Sequence, residues 1–438
     1  MGSLLEAAKE IYKEHPEERY VIGQDFNTKD WFVYDNVEDR NICWADTEAE
    51  AKDAVSHITK FYAINEGDTV IMAKDNVVMV YNVLEGKYVI HNELLLPYPL
   101  KGRLRRVVDF EEVKTRYDDT QRTIAMNNNS SAVTSWLAGR VLLLSRENAK
   151  WLYNALGLEQ VSTEEEKAKL ASMCRAVSVN DTYWLKFGAE GITWSDVNIR
   201  RNSLNEVIAQ IALHGKDLSL QGELTSPEFT THGAYAKAWR RHEDGNLWLY
   251  KKGHNGNTES RIEVMVSNLL DKLDVEHCHY EAGEDEGCYV AMCSAMSTEN
   301  LSILDGMDFE SYCNVNGYDA DKFMLQIDAE SIYKMWIVDY LIANRDRHGQ
   351  NWGFFYDSDT MEIKGCHPLY DHNNAFDTEW MHNPDVSYQF GNMTIKQAAH
   401  KAIRHVKIKV LAPITRNDFI TDRQYNCFMS RAKELGIL

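Results

Sequence analysis

A chain of 438 residues, 44% apolar and 26% charged, is long enough for two or three domains with sizeable cores and is neither disordered nor fibrous in composition. Its formal charge of −20 excludes broad, unassisted binding to DNA, RNA or acidic membranes, whose phosphates reward Lys and Arg. No apolar run approaches the roughly 18–20 residues of a membrane-spanning helix, and the eight cysteines, without a Cys-x-x-Cys pair, read as reduced thiols of a cytoplasmic protein with no structural zinc.

The start, Met1-Gly2-Ser3-Leu4-Leu5-Glu6, lacks a basic region followed by an apolar one, so no secretory leader is expected; Glu6 stands where acylation of Gly2 wants Ser or Thr. Residues 1–125 read as a small α+β domain. Tyr20-Val21-Ile22 and Trp31-Phe32-Val33-Tyr34 are strand-like. Thr47 with Glu50 reads as a capping box opening a helix to about Tyr62. Thr69 to His91 gives three short strand-like runs broken by Lys74-Asp75-Asn76 and Glu85-Gly86-Lys87, a meander. No catalytic cluster appears there, and docking or regulation through a protein partner is the expected role. Lys101, Arg103, Arg105 and Arg106 cluster as a solvated basic segment, and Asn127-Asn128-Asn129-Ser130-Ser131 reads as a linker.

Residues 132–220 read as a mostly helical connecting region. Ser145 is the expected cap of a helix stopping at Gly157, Thr163 with Glu166 opens another, and Ser203 with Glu206 opens a third closed by Gly215. Asp181 to Lys186 is a short aromatic strand.

From about Leu224 the texture changes. Gly233 to Trp239 leads through the turn Glu243-Asp244-Gly245-Asn246 into Leu247 to Gly253, a β-hairpin in which Trp239 and Trp248 suit cross-strand packing. The next helix, Thr258 to about Leu273, places Ile262, Met265, Val266, Leu269, Leu270 and Leu273 at helical spacing. His277 and His279 flank Cys278 in an alternation that fits a strand end better than a metal site, and Tyr289-Val290-Ala291-Met292 is a buried strand. Ala329 to Ala343 is apolar nearly all round, the mark of a central helix.

That helix delivers the chain into Asn344-Arg345-Asp346-Arg347-His348-Gly349-Gln350-Asn351, and 20 residues beyond Asn351 comes Asp371. Asp346, then Asn351, then a second aspartate after a hairpin-length gap is the order in which kinases orient a hydroxyl and hold magnesium on nucleotide phosphates. Asp346 is the candidate catalytic residue; Asn351 and Asp371 are the candidate Mg²⁺ ligands, since Mg²⁺ prefers oxygen donors. A hairpin of Trp352–Tyr356 and Met361–Lys364, turned at Asp357-Ser358-Asp359-Thr360, would bring the two together. His348 is the second candidate catalytic residue, with buttressing of the loop as the role that the placement of Asp346 favours. Lys251, sharing a strand face with Leu249, is the candidate nucleotide lysine with Lys252 as rival, and Glu263 is its candidate partner with Glu259 one turn earlier. Read alone, Asp346 and Asn351 could instead cap a buried helix.

Asn344-x-Asp346-x-His348-x-x-Asn351, Tyr370-Asp371 and Gly233-x-x-x-Lys237 resemble the HipA-like serine/threonine kinase family, whose catalytic loop is also similar to that of phosphatidylinositol kinases. The resemblance covers Leu224 to the C-terminus; Asp371 is followed by His372-Asn373 in place of Phe-Gly, and residues 1–220 do not share it. It implies an overall α+β chain with a bilobal protein-kinase-like domain over 221–438, its small β-rich lobe about 221–295 and its large helical lobe about 296–438. It further implies ATP with Mg²⁺ and transfer to Ser or Thr of a protein substrate. Gly233 and Lys237 would belong to a phosphate-covering loop, though Lys237 on a solvated strand is the rival placement. Thr230, beside Thr231, occupies the place of the family's autophosphorylated residue. An idle nucleotide-binding scaffold and a lipid kinase on the same fold remain open at this level.

Overall fold

The computed structural model describes residues 19–36, 40–104, 119–158, 161–220, 225–254 and 257–438. The stretch weighed for a leader or acylation, Leu224, and Arg105 and Arg106 of the basic cluster lie outside them. The chain divides into two compact units, one of Met1–Leu96, Arg103–Val133 and Leu185–Ile192, the other of Pro97–Gly102, Thr134–Trp184 and Thr193–Leu438.

In the first unit, strands β1 (Tyr20–Gln24), β2 (Trp31–Asp35) and β3 (Arg40–Ala45) form an antiparallel sheet in chain order, with Val21, Phe32 and Tyr34 as its buried cluster. Helix α1 (Glu48–Tyr62) packs on it. Thr47 Oγ1 accepts from Glu50 N, but the Glu50 carboxylate accepts from Asp46 N, so only half of the expected capping box forms. The meander is present as β4 (Thr69–Ala73), β5 (Asn76–Asn82) and β6 (Lys87–Ile90), in a sheet of order β6-β5-β4-β7 completed by the aromatic strand β7 (Tyr183–Phe187).

Asn127–Ser131 is not a linker. It lies inside helix α2 (Asp119–Gly139), where Ala132, Val133, Trp136 and Leu137 supply a buried face. Asn127, Asn128 and Ser131 take the exposed side while Asn129 is buried, so burial of the apolar stripe overrides the turn preference of Asn and Ser.

The second unit opens with short helices, α3 (Ala149–Ala155), α4 (Glu164–Met173), α5 (Trp194–Val197) and α6 (Glu206–His214). Thr163 and Glu166 form the full capping box, and Gly215 closes α6 at φ +65°. The other two starts are corrected: Asn148 rather than Ser145 precedes α3, and Asn205 rather than Ser203 caps α6, its side chain accepting from Val207 N and Ile208 N. A cap must directly precede the first helical residue, and both serines come too early.

The hairpin is β8 (Lys237–Arg241) and β9 (Leu247–Lys251), extended by β10 (Glu281–Asp285) and β11 (Cys288–Ser294) into an antiparallel sheet of order β10-β11-β9-β8. Trp248 stacks on His242 with ring centroids 4.5 Å apart. Helix α7 (Thr258–Leu270) lies against this sheet, with Met265, Val266, Leu269 and Leu270 among its buried residues and Val264 packed on the cluster of Tyr280, Ala291 and Cys293. A second sheet, order β12-β13-β14, contains the expected hairpin as β13 (Gly353–Asp357) and β14 (Ile363–Cys366), with the unanticipated β12 (Leu301–Asp305) at its edge.

Helix α8 (Gly306–Asn316) precedes α9 (Ala320–Leu341), which kinks at Asp328. The part beyond the kink is the expected central helix, buried on nearly every side from Ile332 to Leu341, and α10 (Thr378–His382) is followed by α11 (Ile395–Ala402) and α12 (Asp422–Glu434), the last two packing on it. Among the described residues no helix is long and apolar enough to cross a membrane.

Candidate active site

The site grows from strand β9, which is central in its sheet. Its last residue, Lys251, sits opposite Lys237 on β8 and Ala291 on β11. The Lys251 side chain is 3% exposed, and its Nζ donates to Glu263 Oε2 and Asp371 Oδ1, each at 2.5 Å. Lys251, not Lys252, is therefore the lysine that meets the carboxylates, and Glu263, not Glu259, is its helix partner. Glu263 does a second thing: its Oε1 accepts from the backbone N of His372 at 3.1 Å, so one carboxylate clamps the strand lysine and the chain just past Asp371.

Burial works against every charge here, and the pairing decides the outcome. Burial lowers the Lys251 ammonium, but Asp371 and Glu263 outweigh it and hold the lysine protonated well above its usual range. Burial raises the Asp371 carboxyl, yet Lys251 and Lys237 hold it well below the usual carboxylate range. For Glu263 burial wins, so that its carboxyl is raised despite Lys251, with the like charge of Asp371 adding to the effect. The two carboxylates compete for one ammonium, each at 2.5 Å from it.

Arg347 joins the two distant stretches, a role the motif reading missed. Fully buried, it forks onto Asp339 of α9 at 3.0–3.3 Å, and its Nη1 donates to the carbonyls of Asn351 at 2.5 Å and Tyr370 at 3.0 Å. Asp339 also accepts from Asn344 Nδ2 and Tyr388 Oη. The readable signal was Asp339 as the one charge in the apolar run from Met335 to Ala343, since buried carboxylates are rarely left unpaired. Asp371 itself takes φ +58°, a left-handed conformation uncommon for a residue with a Cβ.

The Asn351 amide is turned so that Nδ2 donates to Asp346 O at 2.7 Å, leaving Oδ1 as an available acceptor. With the Asp371 carboxylate this provides a hard-oxygen donor set of the kind Mg²⁺ takes. Asp346 accepts at Oδ2 from Asn374 Nδ2 at 2.7 Å, and its backbone N donates to Asn344 Oδ1. Asn374 was not anticipated, and no sequence signal marks it. His348, 48% exposed, accepts at Nδ1 from Gln350 N and so caps the turn Gly349–Asn351; its Nε2 lies 3.9 Å from Asp346 Oδ1.

The loop before β8 closes on the same place. Gly233 has φ +105°, and a Cβ there would collide with the Lys237 ammonium. Lys237 is buried rather than solvated, and its Nζ donates to His232 O at 2.9 Å. Burial, then repulsion from Lys251, brings it down to about 7. Arg146, a second residue missed, is buried behind the loop and donates to the carbonyls of Glu228, Thr231 and Lys237. Thr230 is buried, its hydroxyl donating to Val177 O at 2.7 Å and to Pro227 O at 3.2 Å, and Thr231 accepts from Trp239 Nε1.

Lys237, Lys251, Asn351 and Asp371 line one cleft of about 960 Å³, counting the part open to solvent, together with apolar side chains that include Leu249 and Met296. Fixed charges beside an apolar wall are the mixed lining that a nucleotide needs. Among the described cysteines all are free thiols, and Cys174, Cys278, Cys293 and Cys313 are buried.

Solved structures are similar to this chain at low identity. One is the Helicobacter pylori proinflammatory kinase CtkA, 13% identical, with a TM-score of 0.33 over 45% of this chain and 89% of its own. Another is a chain of the Shewanella oneidensis MR-1 toxin–antitoxin assembly of HipA, HipB and operator DNA, 12% identical, with a TM-score of 0.43 over 84% of this chain and 98% of its own. The chain is similar to HipA and to CtkA. No family model matches it, and no curated protein does. For a HipA-like reading the weight therefore falls on side chains, above all on Lys251, Glu263 and Asp371.

Proposed function

We propose that this chain is an ATP- and Mg²⁺-dependent phosphotransferase acting on a Ser or Thr hydroxyl of a protein, with 221–438 as its kinase domain and the preceding residues as a docking or regulatory part. The observation that carries the reading is the single ammonium of Lys251 shared between Glu263 and Asp371 in the cleft that also holds Asn351. Phosphoryl transfer asks for a fixed cation near the phosphates, oxygen ligands for a metal, and a positioned hydroxyl, and little else.

Lys251 supplies the fixed cation, and Lys237 is placed to add a second when phosphate oxygens approach. Asn351 Oδ1 and Asp371 would hold Mg²⁺, which neutralises phosphate charge when bound. Asp346, steadied by Asn374, accepts the hydrogen bond of the acceptor hydroxyl and orients its oxygen. His348 shapes the turn between Asp346 and Asn351. Gly233 leaves room for phosphates beside Lys237. Thr230 as a phosphosite requires the turn Pro227–Thr230 to open first, because its hydroxyl is turned inward.

The test is intact-mass measurement of the full chain after incubation with MgATP and a generic protein acceptor, with mapping of any phosphoryl group. Transfer that Asp346→Ala abolishes, together with loss of Mg²⁺-dependent ATP binding in Asp371→Ala, is the expected result. A chain that binds ATP and transfers nothing would identify an idle nucleotide-binding scaffold, and unchanged transfer in Asp346→Ala would overturn the assignment of roles.

A further inference from the structure

At the end of α7 three metal-ligating side chains converge. Asp271 is the C-cap of α7, and His277 and His279 follow in the segment that leads to β10. Their donor atoms all lie within 4.8 Å of one another. Asp271 Oδ1 is 3.3 Å from His277 Nε2 and 3.3 Å from His279 Nδ1. Two ligands on one tetrahedral ion with bonds of about 2.0–2.1 Å stand about 3.3–3.4 Å apart, which both separations match.

His277 supplies the independent observation. Its side chain is only 8% exposed, and its buried Nε2 has no hydrogen-bond partner although it faces the Asp271 carboxylate. Its other nitrogen, Nδ1, is 3.0 Å from Val275 O. A carbonyl only accepts, so Nδ1 carries a proton, and in the neutral ring the lone pair is on Nε2, which faces the cluster. That is how a metal-bound imidazole is held: a carbonyl fixes the tautomer and aims the ring. His279 and Asp271 are 57% and 43% exposed, which leaves the solvent side open for water as a fourth ligand.

We propose that Asp271, His277 and His279 form a binding site for a divalent transition ion of the zinc class. Two imidazoles with one carboxylate favour Zn²⁺ and its neighbours over Mg²⁺ or Ca²⁺, which demand oxygen. The site is thus chemically distinct from the Asn351–Asp371 pair. The alternation of His277 and His279 alone suggested a strand end; what it lacked was Asp271, brought in by the end of α7.

Equilibrium dialysis of the full chain against Zn²⁺ with Mg²⁺ in large excess, and visible absorption of the Co²⁺-loaded chain, test this. One ion per chain is expected, with intense Co²⁺ bands of low coordination number. His279→Ala and Asp271→Asn, both at exposed positions and checked for unchanged melting in EDTA, should each weaken binding by about 10- to 100-fold or more, taking the loss from a disturbed outer ligand as the lower bound. No bound zinc would leave these residues as ordinary ion pairs and overturn the site. So would zinc whose affinity both variants leave unchanged, because the ion would then sit on other surface histidines.

Discussion

Lys237 and Lys251 stand directly opposite each other on β8 and β9, two buried lysines on one face of the sheet. Like charges in that position repel, and of the two only Lys251 is ion-paired with carboxylates, while Lys237 Nζ donates to the His232 carbonyl. The asymmetry splits their behaviour: Lys251 stays charged, while Lys237 falls to about 7 from an ordinary 10.5.

Lys237 should therefore take up a proton when polyphosphate binds. Its folded value lies below its unfolded one, so the folded state binds fewer protons between about 7 and 10.5, and this group makes the unliganded chain more stable as pH rises through that window. A phosphate beside Lys237 reverses the shift, so affinity for MgATP should fall as pH rises above about 7. Titration calorimetry at pH 8 in buffers of different ionisation enthalpy should show proton uptake that Lys237→Met removes. Identical uptake in the variant would place Lys237 away from the phosphates.

Removing the Lys251 ammonium strands the buried Glu263 carboxylate and the partly buried Asp371. Lys251→Met should destabilise the chain by about 3–5 kcal/mol, the usual cost of leaving a buried charge unpaired. Adding Glu263→Leu should recover much of that loss while nucleotide binding stays abolished. Denaturant unfolding of the two variants separates the structural role from the ligand-binding one; a double variant no more stable than the single would show that Glu263 is not the group left uncompensated.

The parts legible in the sequence were those written in local spacing. The hairpin β8–β9, the stripe of α7 and the central helix carry the period of their element, and Asp346, Asn351 and Asp371 stand in a fixed order. Glu263 could be matched to Lys251 because a strand face and a helix turn give each a direction. What stayed hidden depends on long-range convergence. Arg347 reaches carbonyls of Asn351 and Tyr370, Arg146 braces a loop more than 80 residues on, and Asn374 finds Asp346 with nothing but its own amide to mark it. Asn127–Ser131 misled for the converse reason: residues that favour turns in isolation were carried by the buried face of α2.

Arg347 should not tolerate conservative replacement. Lys keeps the charge toward Asp339 but cannot fork onto it while also reaching two carbonyls. Arg347→Lys should cost about 2–4 kcal/mol from the unpaired carbonyls and the poorer pairing. Because those carbonyls belong to Asn351 and Tyr370, Mg²⁺-dependent ATP affinity should drop more than affinity for ATP in EDTA. An equal drop in both would mean that Arg347 only holds the fold.

Asn374 offers the cleanest separation of positioning from binding. It donates to Asp346 Oδ2 at 2.7 Å and accepts at Oδ1 from the Tyr235 hydroxyl at 3.1 Å, so the loop carrying Gly233 reaches Asp346 through this one amide. Neither contact involves Lys251, Glu263 or Asp371. Asn374→Ala should lower kcat by about 10- to 100-fold, the scale expected when a reacting group drifts by about 1 Å, with KM for ATP unchanged. Tyr235→Phe removes only the hydroxyl that steadies Asn374 and should give a smaller loss of the same kind. Steady-state kinetics at varied ATP decides it: a rise in KM without a fall in kcat would assign Asn374 to nucleotide binding and free Asp346 from its supposed support.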